Sequence, residues 1–127
     1  MILLGGRLRK PSFSLVGYDV GETLRKYHVD KAFLSSKSID APHGVTDATA
    51  DEAESKKAIL ASAAEVFFLM DHTKLDSCAF YQVCPLPQAG RLIGDFQPGI
   101  REKHAEFFSS CEKSSVKVQI ISEGIEI

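Results

Sequence analysis

Apolar positions along the chain follow two spacings, and the first is the spacing of strands. Short apolar or alternating runs predict strands at Ile2–Leu4, Val29–Ser35, Glu65–Asp71, Ala79–Cys84, Arg91–Asp95 and Val116–Ile121. The run at Glu65–Asp71 is continuously apolar, which is typical of a strand buried on both faces.

The second spacing is helical. Val20, Leu24 and Tyr27 share one face of a helix predicted from Tyr18 to Tyr27. A stronger helix is predicted over residues 50–64, capped by Thr49 or Asp51, and a third over residues 99–111. Residues 36–50 are rich in turn-forming residues and are predicted to be loop. Strands and helices alternate, so we predict an α/β fold with a largely parallel sheet flanked by helices.

Composition narrows the class of protein. The 127 residues suit one domain, and 44% hydrophobic and 25% charged residues are ordinary globular values. The net charge is −2, with no basic arm or recognition helix, so we expect no direct DNA binding.

The apolar start is too short for a signal peptide or a membrane span, which predicts a cytoplasmic protein that contacts no membrane. Three cysteines and four histidines show no ligand spacing, and we predict neither a metal nor a cofactor.

Candidate chemistry collects at the carboxyl ends of the predicted strands, where ligands bind in open α/β sheets. The residues in question are polar or glycine and follow four of the strands: Gly5, Gly6, Ser35, Ser36, Lys37, Asp40, Asp71, His72, Thr73, Lys74 and Asp95. The predicted loop 36–50 then leads to a helix start, whose free N–H groups are able to receive an anion.

Each of these residues also has a purely structural explanation. Gly5 and Gly6 suit a tight turn, and Asp40 and Asp71 suit turns or helix caps. Lys74 suits a solvated surface position. Glu52 and Lys56 lie one helical turn apart and suit an exposed ion pair. Spacing alone leaves both interpretations open.

Taken in order, several segments resemble the C-terminal sensor domain of DeoR-type bacterial transcription regulators. The resemblance covers roughly residues 4–121. Its pieces are Gly5-Gly6, Val16-Gly17, Asp30-Lys31-Ala32-Phe33, Ile39-Asp40, Gly44, Thr46-Asp47, Glu52-Ala53, Lys56-Lys57, Asp71-His72-Thr73-Lys74 and Ile93-Gly94-Asp95. Serines at 35 and 38 stand where many members have glycine, which narrows the expected pocket.

The resemblance implies a fold similar to ribose-5-phosphate isomerase A and a sensor without catalytic residues. Such domains bind a phosphorylated sugar or sugar alcohol, form homo-oligomers in the intact protein, and control an N-terminal helix-turn-helix that binds operator DNA. The matched positions imply an effector pocket of Gly5, Gly6, Asp40, Gly44, Glu52, Lys56, Asp71 and Lys74. In this pocket Asp40 and Glu52 would accept hydroxyl groups, and Lys56 and Lys74 would bind the phosphate.

A full member has a helix-turn-helix and a first strand–helix unit before the Gly-Gly pair, and neither is present here. Residues 1–127 are therefore interpreted as a partial sensor domain. Two alternatives stay open: a small sugar-phosphate isomerase-like enzyme with Asp40, Glu52 and Lys56 as its acid–base set, or a remnant of a disrupted regulator gene. The remnant would expose a sheet edge and an apolar face, which predicts marginal stability.

Overall fold

The computed structural model describes residues 1–122 and 125–126, which form two sheets, a two-stranded ribbon and four helices. The strands are β1 (Arg7–Arg9), β2 (Ser14–Val16), β3 (Val29–Leu34), β4 (Ser38–Asp40), β5 (Gly44–Asp47), β6 (Ala63–Leu69), β7 (Tyr81–Cys84), β8 (Arg91–Gly94), β9 (Lys117–Ser122) and β10 (Ile125–Glu126). The helices are α1 (Tyr18–Leu24), α2 (Ala50–Ser62), α3 (Ile100–Lys103) and α4 (Ala105–Lys113).

The main sheet has the strand order β10-β9-β8-β6-β3. Strands β3, β6, β8 and β9 run parallel, and β10 pairs antiparallel with β9. Phe33 lies opposite Phe67, and Phe68 lies opposite Leu92. This arrangement confirms the predicted α/β class with a largely parallel sheet.

The two faces of this sheet differ. Leu34, Phe68 and Leu92 point into the hydrophobic core, whereas Phe33 is 60% exposed on the other face and stacks on Phe67. Leu69 is also exposed, so the prediction that Glu65–Asp71 is buried on both faces is wrong. Within the described chain β3 is one of the two edge strands of the main sheet, opposite β10.

The predicted loop 36–50 is wrong at residues 38–40 and 44–47, which form strands. It contains the β4–β5 hairpin, which pairs with β7 to form a second, antiparallel sheet. All four residues of β5 are buried. Strands of three and four residues have little local signal, and here burial against β7 and the core stabilises them.

Helix α2 follows the prediction closely. Thr49 is its N-cap, and its Oγ1 accepts a hydrogen bond from the Glu52 N–H at 3.2 Å. Helix α1 ends at Leu24, three residues earlier than predicted. The third predicted helix breaks at His104 into α3 and α4.

The predicted strand Ile2–Leu4 is also wrong. These residues are not in a strand, no strand of the described chain pairs with them, and Ile2 and Leu3 are 71% and 80% exposed. An apolar run becomes a strand only where a partner satisfies its backbone groups. The first pairing instead joins Arg7 to Val16 in the β1–β2 ribbon. No helix in the described part of the chain is long and apolar enough to cross a membrane.

Candidate functional site

The carboxyl ends of β3 and β6 bring together Ser35, Asp71 and Lys74, which we call the Lys74 group. Lys74 Nζ donates a hydrogen bond to Ser35 Oγ at 3.0 Å and lies 4.0 Å from Asp71 Oδ2. Next to this group, the backbone N–H of His72 donates to Asp95 Oδ1 at 3.3 Å, after the end of β8. Polar residues that follow three parallel strands therefore meet at one edge of the sheet, as predicted.

Asp71 begins a short 3-10 turn, His72–Lys74, which directs Lys74 back towards β3. Its Oδ1 accepts the N–H of Thr73 at 2.9 Å and also the Thr73 hydroxyl. These hydrogen bonds, the hydroxyl first, hold the pKa of Asp71 below its usual value despite some desolvation. Asp71 thus acts as a cap, and it also presents a charged carboxylate beside Lys74.

A second set, the Lys56 group, consists of Ser36, Asp47 and Lys56. Lys56 Nζ pairs with Asp47 Oδ2, and Ser36 Oγ lies 2.8 Å from the same oxygen. Burial alone would raise the pKa of Asp47. The hydrogen bonds from Lys56, Ser36 and the Ala48 N–H outweigh burial and lower the pKa. The buried Asp47 is therefore a charged anchor for Lys56.

Asp47 was not among the predicted site residues. Asp47 ends β5, a strand that the sequence does not predict. The one signal in the sequence is its position two residues before the helix cap Thr49, which suits a contact with a lysine of that helix. Its partner Ser36 is eleven residues away and belongs to another strand end, so spacing does not predict the contact.

Glu52 faces the β1–β2 ribbon. Its Oε1 accepts hydrogen bonds from Ser12 Oγ at 2.7 Å and Ser14 Oγ at 2.5 Å, and Arg9 lies 3.7 Å away. Only 7% of Glu52 is exposed. Glu52 and Lys56 thus each bind partners outside helix α2, which decides against the exposed ion pair between them.

Asp40 ends β4 and Gly44 begins β5, so the two residues flank the β4–β5 turn. Asp40 accepts the N–H of His43 at 2.7 Å. Gly44 has a φ of +73°, and a Cβ at this position would lie 2.2 Å from the carbonyl oxygen of Cys84. Glycine is therefore required here for the close approach of β5 and β7.

Gly5 and Gly6 precede the β1–β2 ribbon. A Cβ on Gly6 would lie 2.8 Å from Val20 Cγ2, whereas a Cβ on Gly5 would meet open space. The structure thus brings Asp71 together with Lys74, while Gly5, Gly6, Asp40 and Gly44 have no recorded hydrogen bond to the Lys74 or Lys56 group among the described residues.

A groove of about 700 Å³ lies elsewhere, between α1 and α2. Its lining includes Tyr18, Tyr27, Lys57 and Ala61. Lys57 Nζ already pairs with Glu54 at 3.1 Å, and Arg25 pairs with Glu22 at 2.7 Å. Because these cations are neutralised, the groove fits a phosphorylated ligand less well than the strand ends do.

Comparison with known proteins gives a consistent result. The sequence model of the family described as "DeoR C terminal sensor domain" matches residues 1–96. The chain is 41% identical over 96 residues to the HTH-type transcriptional repressor GlcR of Bacillus subtilis (strain 168), covering 76% of this chain and 37% of that protein.

Two further relatives extend the comparison. The lactose phosphotransferase system repressor of Staphylococcus aureus (strain NCTC 8325 / PS 47) is 30% identical over 95 residues, or 75% of this chain and 38% of that protein. A putative aga operon transcriptional repressor of Escherichia coli O157:H7 is 26% identical over 123 residues, or 97% of this chain and 44% of that protein. The chain thus spans less than half the length of these curated relatives.

Proposed function

Because the chain belongs to the family of DeoR C-terminal sensor domains, we propose that it senses a phosphorylated sugar or sugar alcohol for a DeoR-type repressor. The family is regulatory, which decides against the isomerase-like alternative: the protein is not an enzyme. The observation that supports the proposed effector is the pair of lysines beside the end of β3. Lys74 contacts Ser35, and Lys56 contacts Asp47, which is hydrogen-bonded to the adjacent Ser36. Two cations therefore flank the end of β3.

We assign the phosphate group of the effector to the carboxyl end of β3, beside Lys74 and Lys56. Lys74 is the better direct ligand, because its side chain is 26% exposed, its hydrogen-bond partner Ser35 is neutral, and the Asp71 carboxylate lies at the longer distance of 4.0 Å. Lys56 is 17% exposed and its charge is offset by the charged Asp47, so it serves mainly to hold this strand end in place.

The hydroxyl groups of the effector need acceptors. Asp71 is charged and 45% exposed beside Lys74, which suits this role, and Asp95 follows the next strand. Asp40 and Glu52 stay in the proposed set from the family pattern, with Gly5, Gly6 and Gly44 shaping the backbone around them. Glu52 would take part through its link to the β1–β2 ribbon, whose position an effector would then influence.

The wider role follows from the relatives, two of which are named as repressors of the lactose phosphotransferase system and the aga operon. By extension, effector binding here would change the affinity of a helix-turn-helix for operator DNA in a cytoplasmic homo-oligomer. The DNA-binding part would lie in the portion of the relatives that this chain does not match.

Calorimetric titration of the chain with a panel of phosphorylated sugars and sugar alcohols tests the effector. Each compound is paired with its unphosphorylated form. We expect at least one phosphorylated compound to bind and its unphosphorylated partner to bind at least tenfold more weakly, because the lysine contacts are lost. Absence of binding across a broad panel, from a chain that is folded by circular dichroism, would overturn the proposed effector class.

A further inference from the structure

We propose that Asp40, His43 and Cys78 form a binding site for a thiophilic divalent cation, with Zn²⁺ as the best match. One ligand atom from each residue lies within 4.8 Å of the other two, and this is the one such trio in the described part of the chain. Carboxylate, imidazole and thiolate are the three side-chain groups that Zn²⁺ commonly binds. The site shares Asp40 with the effector set of the family pattern, but the metal titration below uses no effector, so the two proposals are tested separately.

The separations of the ligand atoms suit a tetrahedral ion. His43 Nδ1 lies 2.9 Å from Asp40 Oδ2. Two ligands at about 2.0–2.1 Å from a tetrahedral Zn²⁺ are about 3.3 Å apart, and a sulfur at about 2.3 Å lies slightly farther from each. A cation would therefore need only a few tenths of an ångström of movement between Asp40 and His43, and Cys78 lies within reach.

The backbone already holds the two ligands of the β4–β5 turn. The N–H of His43 donates to Asp40 Oδ1 at 2.7 Å, and its carbonyl oxygen accepts a hydrogen bond from Gln82 Nε2 at 2.8 Å. The turn is thus fixed to Asp40 on one side and to β7 on the other. Preorganised ligands lose less conformational freedom when an ion binds.

The segment that carries Cys78 is attached to the same small sheet. The N–H of Ala79 donates to the buried Thr46 Oγ1 at 2.8 Å, and Leu75 forms a parallel bridge with Ile39. Both contacts join residues 75–79 to the β4–β5 hairpin. The thiol is therefore positioned next to the turn by the fold, although it is 35 residues from His43 in sequence.

Cys78 is also the accessible thiol among the three cysteines. It is exposed and in no disulfide, whereas Cys84 and Cys111 are buried. Asp40 and His43 are accessible as well, so an ion reaches the site without unfolding. Three protein ligands leave one tetrahedral position for water. The prediction of no metal rested on sequence spacing, which cannot detect ligands from two separate segments.

Titration with Co²⁺ and Zn²⁺ tests the site on the reduced 127-residue chain, with a phosphine reductant in place of thiol reductants, which compete strongly for the metal. We expect one Co²⁺ per chain, with a thiolate charge-transfer band in the near ultraviolet that Zn²⁺ abolishes. Cys78→Ser should remove the band. His43→Gln should weaken Zn²⁺ at least tenfold in competition with a chromophoric chelator, and His28→Gln, at another exposed histidine, should leave it unchanged.

Asp40→Asn separates binding from structure, because asparagine keeps the acceptor for the His43 N–H and loses the charge. We expect an unchanged melting temperature without metal and weaker Zn²⁺ binding. If Cys78→Ser and His43→Gln bind Zn²⁺ as tightly as the native chain does, or if the native chain shows no binding at millimolar Zn²⁺, the proposal is overturned.

Discussion

Lys56 and Lys74 flank the same strand end, yet their surroundings differ. Lys56 is 17% exposed and its partner Asp47 only 9%, whereas Lys74 is 26% exposed and the neighbouring Asp71 is 45% exposed. Residue type and motif position do not distinguish them. The burial of the partner does. Lys56 pairs with a buried carboxylate, whereas Lys74 and its neighbouring carboxylate are more exposed, which is the basis for proposing Lys74 as the ligand contact.

The largest effect that would test this difference is expected from Asp47→Ala. It leaves Lys56 as a mostly buried, unpaired cation, which costs about 3–5 kcal/mol of unfolding free energy. Chemical denaturation measures this loss. Asp51→Ala is the matched control, since Asp51 pairs with Arg7 at the surface of the same helix and should lose less than about 1 kcal/mol. Equal losses in the two variants would show that the Asp47–Lys56 pair has no special structural role.

Glu52→Ala should have the next largest effect, because the Glu52 side chain is only 9% exposed but its partners in the β1–β2 ribbon are more exposed than Asp47. It accepts hydrogen bonds from Ser12 and Ser14 and joins α2 to the β1–β2 ribbon. Loss of hydrogen bonds to a charged acceptor costs about 1.5–3 kcal/mol. Faster amide hydrogen exchange in residues 7–16 should accompany this loss of stability. Unchanged exchange there would mean that Glu52 does not anchor the ribbon.

Lys74→Ala should separate binding from stability. Its exposed contacts contribute no more than about 1 kcal/mol to the unfolding free energy. Loss of a charged phosphate contact should weaken the effector found in the calorimetric panel by about tenfold to a hundredfold. Lys113→Ala, at an exposed lysine of α4, is the control and should change neither quantity. A large loss of stability with unchanged effector affinity would reverse the roles assigned to the two lysines.

These roles also show how far the sequence predicts the molecule. Helix α2 and strands β3, β6 and β8 were predictable because their signals are local: a capping threonine and continuous apolar runs. The β4–β5 hairpin was not, because its short strands are stabilised by β7 and the core. The same distinction holds at the site. The lysines are proposed from their motifs, while Asp47 depends on a contact with Ser36 that tertiary packing creates.

The smallest expected effect is a change in the acid dependence of stability, measured with Asp47→Asn. The pKa of Asp47 is lowered in the folded chain from its usual value of 3.8, so the unfolded chain takes up its proton first as the pH falls. Its contribution is therefore complete well above pH 3.8 and is lost as the pH falls through the lower, folded pKa. Asparagine does not titrate, so unfolding free energies measured from pH 6 downwards should fall less steeply in the variant.

Glu54 and Asp71 also have lowered pKa values, held by Lys57 and by Thr73, but they are exposed and screened. The part of the acid slope that remains in the variant measures these surface carboxylates. If the unfolding free energy of Asp47→Asn fell with pH as steeply as that of the native chain, Asp47 would not be the buried charge that stabilises the fold. The distinction between Lys56 and Lys74 would then be lost.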